Sequence, residues 1–153
     1  MTPDELFMKE AILLSQQAVI HGNEPFGAVL VKDGEIVATS ENQIYTKADP
    51  TSHAELGLIR RFCSENHVTS LQGYTLYSNC EPCIMCAGAI ATAKVSRLVY
   101  AASNVELNDI NGDLGFETSK VVFANSKTCP QVTSGVLKEE ALSILTQYFK
   151  NRR

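Results

Sequence analysis

No run of apolar residues in this 153-residue chain approaches the roughly 20 that a membrane-spanning helix requires. The opening stretch MTPDELFMKEAILL carries acids where a secretory signal would carry bases, so a cytoplasmic protein is expected, with no membrane partner. Positive charge is also short: 13 Lys and Arg against 17 Asp and Glu leave a net charge of -4 and a pI near 5.4. That balance argues against a general affinity for polyanions, although it leaves room for a local basic patch. A disulfide framework is missing as well. Five cysteines is an odd number, and in a reducing compartment thiols persist as thiols, so a metal or catalytic use outranks cross-linking. There is no internal repeat, linker or low-complexity tract, and a single domain over residues 1–153 is expected.

What is present is the usage of an ordinary globular protein, 44% hydrophobic and 20% charged. Thr2-Pro3-Asp4-Glu5 offers a helix start, with Thr2 as cap, Pro3 in the first turn and Glu5 completing a capping box. Phe7, Ala11, Leu14 and Ala18 then recur at helical spacing up to Gly22. FGAVLVK (26–32) and EIVATS (35–40), joined at Asp33-Gly34, predict an antiparallel hairpin. After a polar loop over 41–52, a helix starts at His53; YTLYS (74–78) reads as a strand, Cys83–Ala93 as a helix and RLVYA (97–101) as a strand. Strand, crossover helix and strand imply parallel pairing. Residues 103–119 read as loop, 120–124 (KVVFA) as a last strand, and Ala141, Leu142, Leu145, Tyr148 and Phe149 as the apolar stripe of a C-terminal helix. The expected class is a three-layer α/β/α protein, a mixed sheet with helices on both faces.

The chemistry concentrates in two places. Cys83-Ile84-Met85-Cys86 is a C-x-x-C at a predicted helix start, where backbone N–H groups and the helix dipole stabilise thiolates. Alone, the pair also fits a redox dithiol or two small core residues. His53 opens another helix after a strand, so both helix starts should fall on the sheet edge where ligand crevices form. One imidazole and two thiolates make a three-ligand zinc set with the fourth corner open, the pattern of catalytic rather than structural sites. Cys80 is the candidate for a closing fourth ligand, although Glu81-Pro82 should carry it off the helix axis; a zinc-braced binding module is the non-enzymatic alternative. Residues two apart on a helix point about 200° away from each other. Glu55 is therefore awkward as a joint ligand with His53 and suited to moving protons beside the metal. His21, His67, Cys63 and Cys129 lack ligand spacing.

The HAE at 53–55 and PCIMC at 82–86 resemble the H-x-E and P-C-x-x-C signature of zinc nucleobase deaminases. PFGAV (25–29), Asn42, DPTSHAE (49–55), CEPCIMCAGAI (80–90) and LVYAA (98–102) extend that likeness over nearly the whole chain. The chain thus resembles the cytidine deaminase-like superfamily, in its branch of bacterial guanine deaminases and tRNA adenosine deaminases. The resemblance implies a five-stranded mixed sheet flanked by helices, and Zn2+ held by His53, Cys83 and Cys86. It makes Glu55 the catalytic proton shuttle for attack of an activated water on the carbon bearing an exocyclic amine, with loss of ammonia.

For the substrate, Phe26 looks like guanine deaminases, where an aromatic stacks near the base, and the acidic pI also favours a small base over tRNA. Asn42 resembles the family residue that hydrogen-bonds the substrate, Ala54 contributes backbone contacts, and Asp113 or Glu117 could be the acid that reads the base. Guanine to xanthine plus ammonia is therefore the first expectation. Residues 132–153 instead resemble the terminal helix of tRNA adenosine deaminases, with Lys138, Lys150, Arg152 and Arg153 available to phosphates; adenosine-to-inosine editing in tRNA is the alternative. Isocytosine, cytosine, an aminotriazine or a nucleoside are further options. The family is dimeric, so a homodimer is expected.

Overall fold

The computed structural model of the chain describes residues 1–112 and 117–151. Helix α1 (Pro3–Ile20) begins at the capping box, where the Thr2 side chain accepts from the Glu5 amide and the Glu5 carboxylate accepts from the Thr2 amide. Its buried stripe is Met8, Ala11, Ile12, Ser15 and Ala18; Phe7 and Leu14 flank it, half-buried. Strands β1 (Gly27–Lys32) and β2 (Glu35–Glu41) pair antiparallel. Positive φ at both Asp33 and Gly34 gives the turn the twist that suits such a hairpin.

Helix α2 (Ala54–Asn66) leads to β3 (Thr75–Cys80), and α3 (Ile84–Thr92) crosses over to β4 (Arg97–Ala102), parallel to β3 as expected. Between β4 and the expected C-terminal helix the chain departs from its sequence reading. Residues 103–119 are not a continuous loop, because α4 (Asn104–Asn111) starts there on a second capping box, Ser103 with Glu106. The segment read as a last strand is helix α5 (Thr118–Ala124), which buries Ser119 and Phe123, four residues apart on one face, and packs on α3. Tertiary packing here overrides the strand preference of Val121 and Val122. The fifth strand is β5 (Gln131–Thr133), parallel to β4, and α6 (Lys138–Lys150) ends the described chain.

The sheet order β2-β1-β3-β4-β5 is mixed, and alternate residues of each central strand serve opposite layers. Ala28, Leu30, Leu76, Leu98 and Tyr100 face the layer containing α2, α3 and α5. Val29, Val31, Tyr77, Val99 and Ala101 face α1 and α6. Each fully buried Leu or Val contributes about 1.5–3 kcal/mol, which is why both faces of the sheet must be covered. These residues form the expected α/β/α sandwich. Among the described residues no helix is long and apolar enough to cross a membrane.

Two contacts lock α1 to the sheet. Asp4 accepts from both guanidinium nitrogens of Arg97, at 2.9 and 2.6 Å, and from the Tyr77 hydroxyl at 2.6 Å. Gly27 lies so close to α1 that an added Cβ would meet the Ala11 carbonyl oxygen at 2.4 Å and the Ser15 nitrogen at 2.8 Å. Gly27→Ala should cost about 2 kcal/mol or more in chemical denaturation, because backbone atoms cannot step aside as a side chain does. The bond to Arg97 holds the Asp4 carboxyl below its ordinary 3.8, so its contribution is present above that value and is lost as pH falls through the lowered one. Asp4→Asn should therefore cost about 1–2 kcal/mol at pH 7, and the difference from wild type should shrink toward zero in acid. Urea titrations of both proteins from pH 7 to pH 3 check this.

Candidate metal centre

Strand β1 is antiparallel to both β2 and β3, so β2 and β3 run the same way and end at the same sheet edge. The loop after β2 delivers His53 as the N-cap of α2, and the turn after β3 delivers Cys83 as the N-cap of α3. Both have extended backbone and neither side chain caps its own helix. Instead the side chains meet: His53 Nδ1 lies 3.6 Å from Cys83 Sγ and 3.7 Å from Cys86 Sγ. Among the described residues these are the one set of three donors able to share an ion, all ligand atoms lying within 4.8 Å of one another.

The donor set can be tested against zinc. With Zn–S near 2.3 Å and Zn–N near 2.0–2.1 Å, a tetrahedron places nitrogen and sulfur about 3.6 Å apart along an edge. The two observed N to S separations match that edge. Charge agrees with geometry. Hydrogen bonds from Cys86 and then from His53 hold the Cys83 thiol down to about 4, against the opposing effect of burial, so this sulfur is anionic at neutral pH. Cys86, which donates to it, is pushed up, chiefly by that bond and by burial, while the Leu56 amide of α2 opposes the rise. His53 is raised, first by its bond to Cys83. A cation at this point would displace those protons.

Glu55 stands beside this set, in the first turn of α2 and only 6% exposed. Burial, followed by the negative charge of Cys83, pushes its carboxyl up to about 7. It can therefore be protonated or ionised near neutrality, as a proton carrier must be. A cavity of about 330 Å³ opens over His53, Cys83 and Glu55. Phe26 and Asn42 line it. Buried Asn79 fixes that rim, accepting from the Gly27 amide and donating to the Pro25 carbonyl, both at 2.9 Å. Asn42 is 1% exposed and accepts from the Ile44 amide at 3.2 Å.

Other expected residues fall elsewhere. Ala54 is buried in the core at the start of α2 and does not line the cavity. Asp113 lies outside the described residues. Glu117 precedes α5, pairs with Lys120 at 2.8 Å and does not line the cavity. Cys80 lines the cavity wall but stands outside the donor set, and burial pushes its thiol up, away from a ligating thiolate. Cys63 is half-buried and Cys129 exposed, while His21 is paired with Glu41.

The sequence reading missed Phe149, which α6 carries to the cavity, its ring 6.3 Å from Phe26 and tilted by 48°. Its helical spacing marks it only as core. Asn104, Leu107 and Asn111 of α4 also line the cavity, and Ser103-Asn104-Val105-Glu106 was the signal that a helix would present them.

Residues 1–102 match the family described as the cytidine and deoxycytidylate deaminase zinc-binding region. The chain is 38% identical over 153 residues to the tRNA-specific adenosine deaminase of Bacillus subtilis, covering 100% of this chain and 92% of that protein. It is 42% identical over 113 residues to the guanine deaminase of the same organism, covering 73% and 72%. A structure solved in a study of A-to-I editing by tRNA:A34 deaminases superposes with a TM-score of 0.75 at 34% identity, over 90% of this chain and 97% of that one.

If the three donors hold the ion, His53→Ala, Cys83→Ala and Cys86→Ala should each reduce zinc from about one per chain to below about a tenth, since an open site has no spare ligand. Cys80→Ser should keep its zinc. Metal analysis of the four purified variants decides it, and zinc loss in Cys80→Ser would make the site a closed one.

Proposed function

The chain belongs to the zinc-binding cytidine and deoxycytidylate deaminase family, and from that membership we propose that it removes the exocyclic amine of adenosine in tRNA, releasing ammonia and leaving inosine. Phe26 and the acidic pI put guanine first on the sequence alone. What reverses that order is coverage: the tRNA-specific relative aligns over the whole chain, including its C-terminal helix, and the guanine deaminase over 73% of it.

A bound zinc ion supplies Lewis acidity that brings the pKa of a water toward neutrality. His53, Cys83 and Cys86 would hold that ion at the cavity floor. Glu55 takes the proton from the attacking water and returns it to the departing nitrogen, so that the C–N bond breaks with ammonia as the leaving group. Phe26 and Phe149 flank the ring, and Asn42, whose Oδ1 is engaged by Ile44, keeps its amide nitrogen to donate to the base.

Beyond His53, Lys47, Arg60 and Arg61 outnumber Glu41 and Asp49 around a second hollow of about 280 Å³, where the three cations would meet the phosphates of a nucleotide strand. Of the terminal cations, Lys138 is engaged with Glu106 at 3.5 Å and Lys150 is exposed in the last turn of α6; Arg152 and Arg153 lie outside the described residues.

Free guanine is the second reading. It is favoured by the cavity itself, which is roofed by the Phe26–Phe149 pair and walled by Glu24, Glu55 and Glu81, carboxylates that a polyanion would avoid.

Ammonia release and inosine formation should be seen with an anticodon stem-loop carrying adenosine, weakening steeply with salt, and not with guanine. Xanthine formed from guanine, with no inosine from the stem-loop, would overturn the RNA reading. Glu55→Gln should retain zinc while turnover falls by a factor of about 100 or more; an active variant would remove Glu55 from its role.

A further inference from the structure

We propose that Glu81 is a positioning residue which fixes α4, the substrate-facing wall of the cavity, to the loop that leads to the metal donor Cys83. Glu81 is 3% exposed and both its carboxylate oxygens are committed. Oε1 accepts from the Asn104 amide at 2.9 Å, while Oε2 accepts from the Ser119 amide at 3.2 Å and from the Ser119 hydroxyl. A single side chain therefore ties the first turns of α4 and α5 together. The following residue extends the clasp: the Pro82 carbonyl accepts from Asn104 Nδ2 at 3.3 Å and from Thr118 Oγ1 at 3.1 Å. The Glu81 amide donates to the Ala102 carbonyl at 2.7 Å, anchoring the loop to the end of β4. Cys83 comes immediately after Pro82.

The clasp joins the Ser103–Glu106 capping box and the Asn104–Thr118 hydrogen bond in holding the N-terminal end of α4, and it alone ties the loop before Cys83 to that end of α4. Asn104 is its one buried residue, and its flank rests on α6. Yet α4 supplies Leu107 and Asn111 to the cavity, and α6 supplies Phe149. A polar network whose members are all satisfied specifies one arrangement, whereas one with an unmatched member does not. Replacing the carboxylate by an amide would set a donor against one of two N–H groups, that of Asn104 or that of Ser119, and so break the clasp and free the wall to move, while the metal donors and Glu55 keep their places at the starts of α2 and α3. Glu81 thus acts on substrate through α4 and touches no step of the chemistry.

The test compares wild type, Glu81→Gln and Ser119→Ala, all zinc-loaded, by hydrogen exchange and by steady-state kinetics. In Glu81→Gln the amides of α4 should exchange about ten times faster or more, with those of β1 and α1 unchanged. KM for the substrate that wild type deaminates should rise about tenfold, with kcat within about twofold, the signature of lost binding rather than lost chemistry. Ser119→Ala, which keeps the amide bond and loses the hydroxyl one, should move both quantities the same way by less. The kinetic arm rests on the deaminase reading and the exchange arm does not: a wild type inert toward every amino-heterocycle would end that reading and leave exchange to decide the clasp. Unchanged α4 exchange in Glu81→Gln, a fall in kcat at constant KM, or loss of zinc would each overturn the proposal. If Glu81→Gln does not fold, unchanged α4 exchange in Ser119→Ala overturns it equally.

Discussion

One imidazole nitrogen held within 4 Å of two sulfurs is the constraint that organises this molecule. The donors come from segments 30 and more residues apart, so the sheet has to bring two helix starts to one edge. It does so because two antiparallel pairings in succession restore the strand direction, leaving β2 and β3 to end at the same edge on either side of β1. At that edge, the usual capping role of an N-terminal side chain is given up at both helices. First-turn amides turn to sulfur instead, that of Leu56 in α2 to Cys86 and that of Cys86 in α3 to Cys83, and favour its anionic form.

The surroundings serve the same constraint in two ways. Burial raises Glu55 to about 7 beside a sulfur held down to about 4, so the proton carrier can keep its proton while the ligand is anionic. Burial acts in the same direction on Cys80, raising its thiol and keeping it protonated although Cys80 shares the cavity. A donor set of three with a neutral neighbour leaves a corner for solvent, and that open corner separates a reacting metal from a bracing one.

The donors and Glu55 were legible because each sits in a short local motif, and the strands around them because their apolar runs have few other readings. The chain after β4 was less legible, for physical reasons. KVVFA has the β-branched content of a strand, yet Ser119 and Phe123 fall on one helical face that α3 and Glu81 capture. Gln131-Val132-Thr133, mostly exposed at the sheet edge, has no alternation to betray it. The start of α4 was announced by Ser103 and Glu106, and a more literal use of the capping-box rule finds it. Phe149 could not be found that way: a residue on an apolar stripe shows its place in a cavity only once the helix is docked. Substrate preference follows the same rule, since part of the cavity wall comes from α4, which reads as loop, and from Phe149, whose place depends on the docking of α6.

An open metal site with two sulfurs underlies the whole arrangement. X-ray absorption at the zinc edge of the purified protein measures it directly. Two sulfur neighbours near 2.3 Å and two nitrogen or oxygen neighbours near 2.0–2.1 Å are predicted. Three sulfurs would bring Cys80 into the shell, fill the corner and contradict the account.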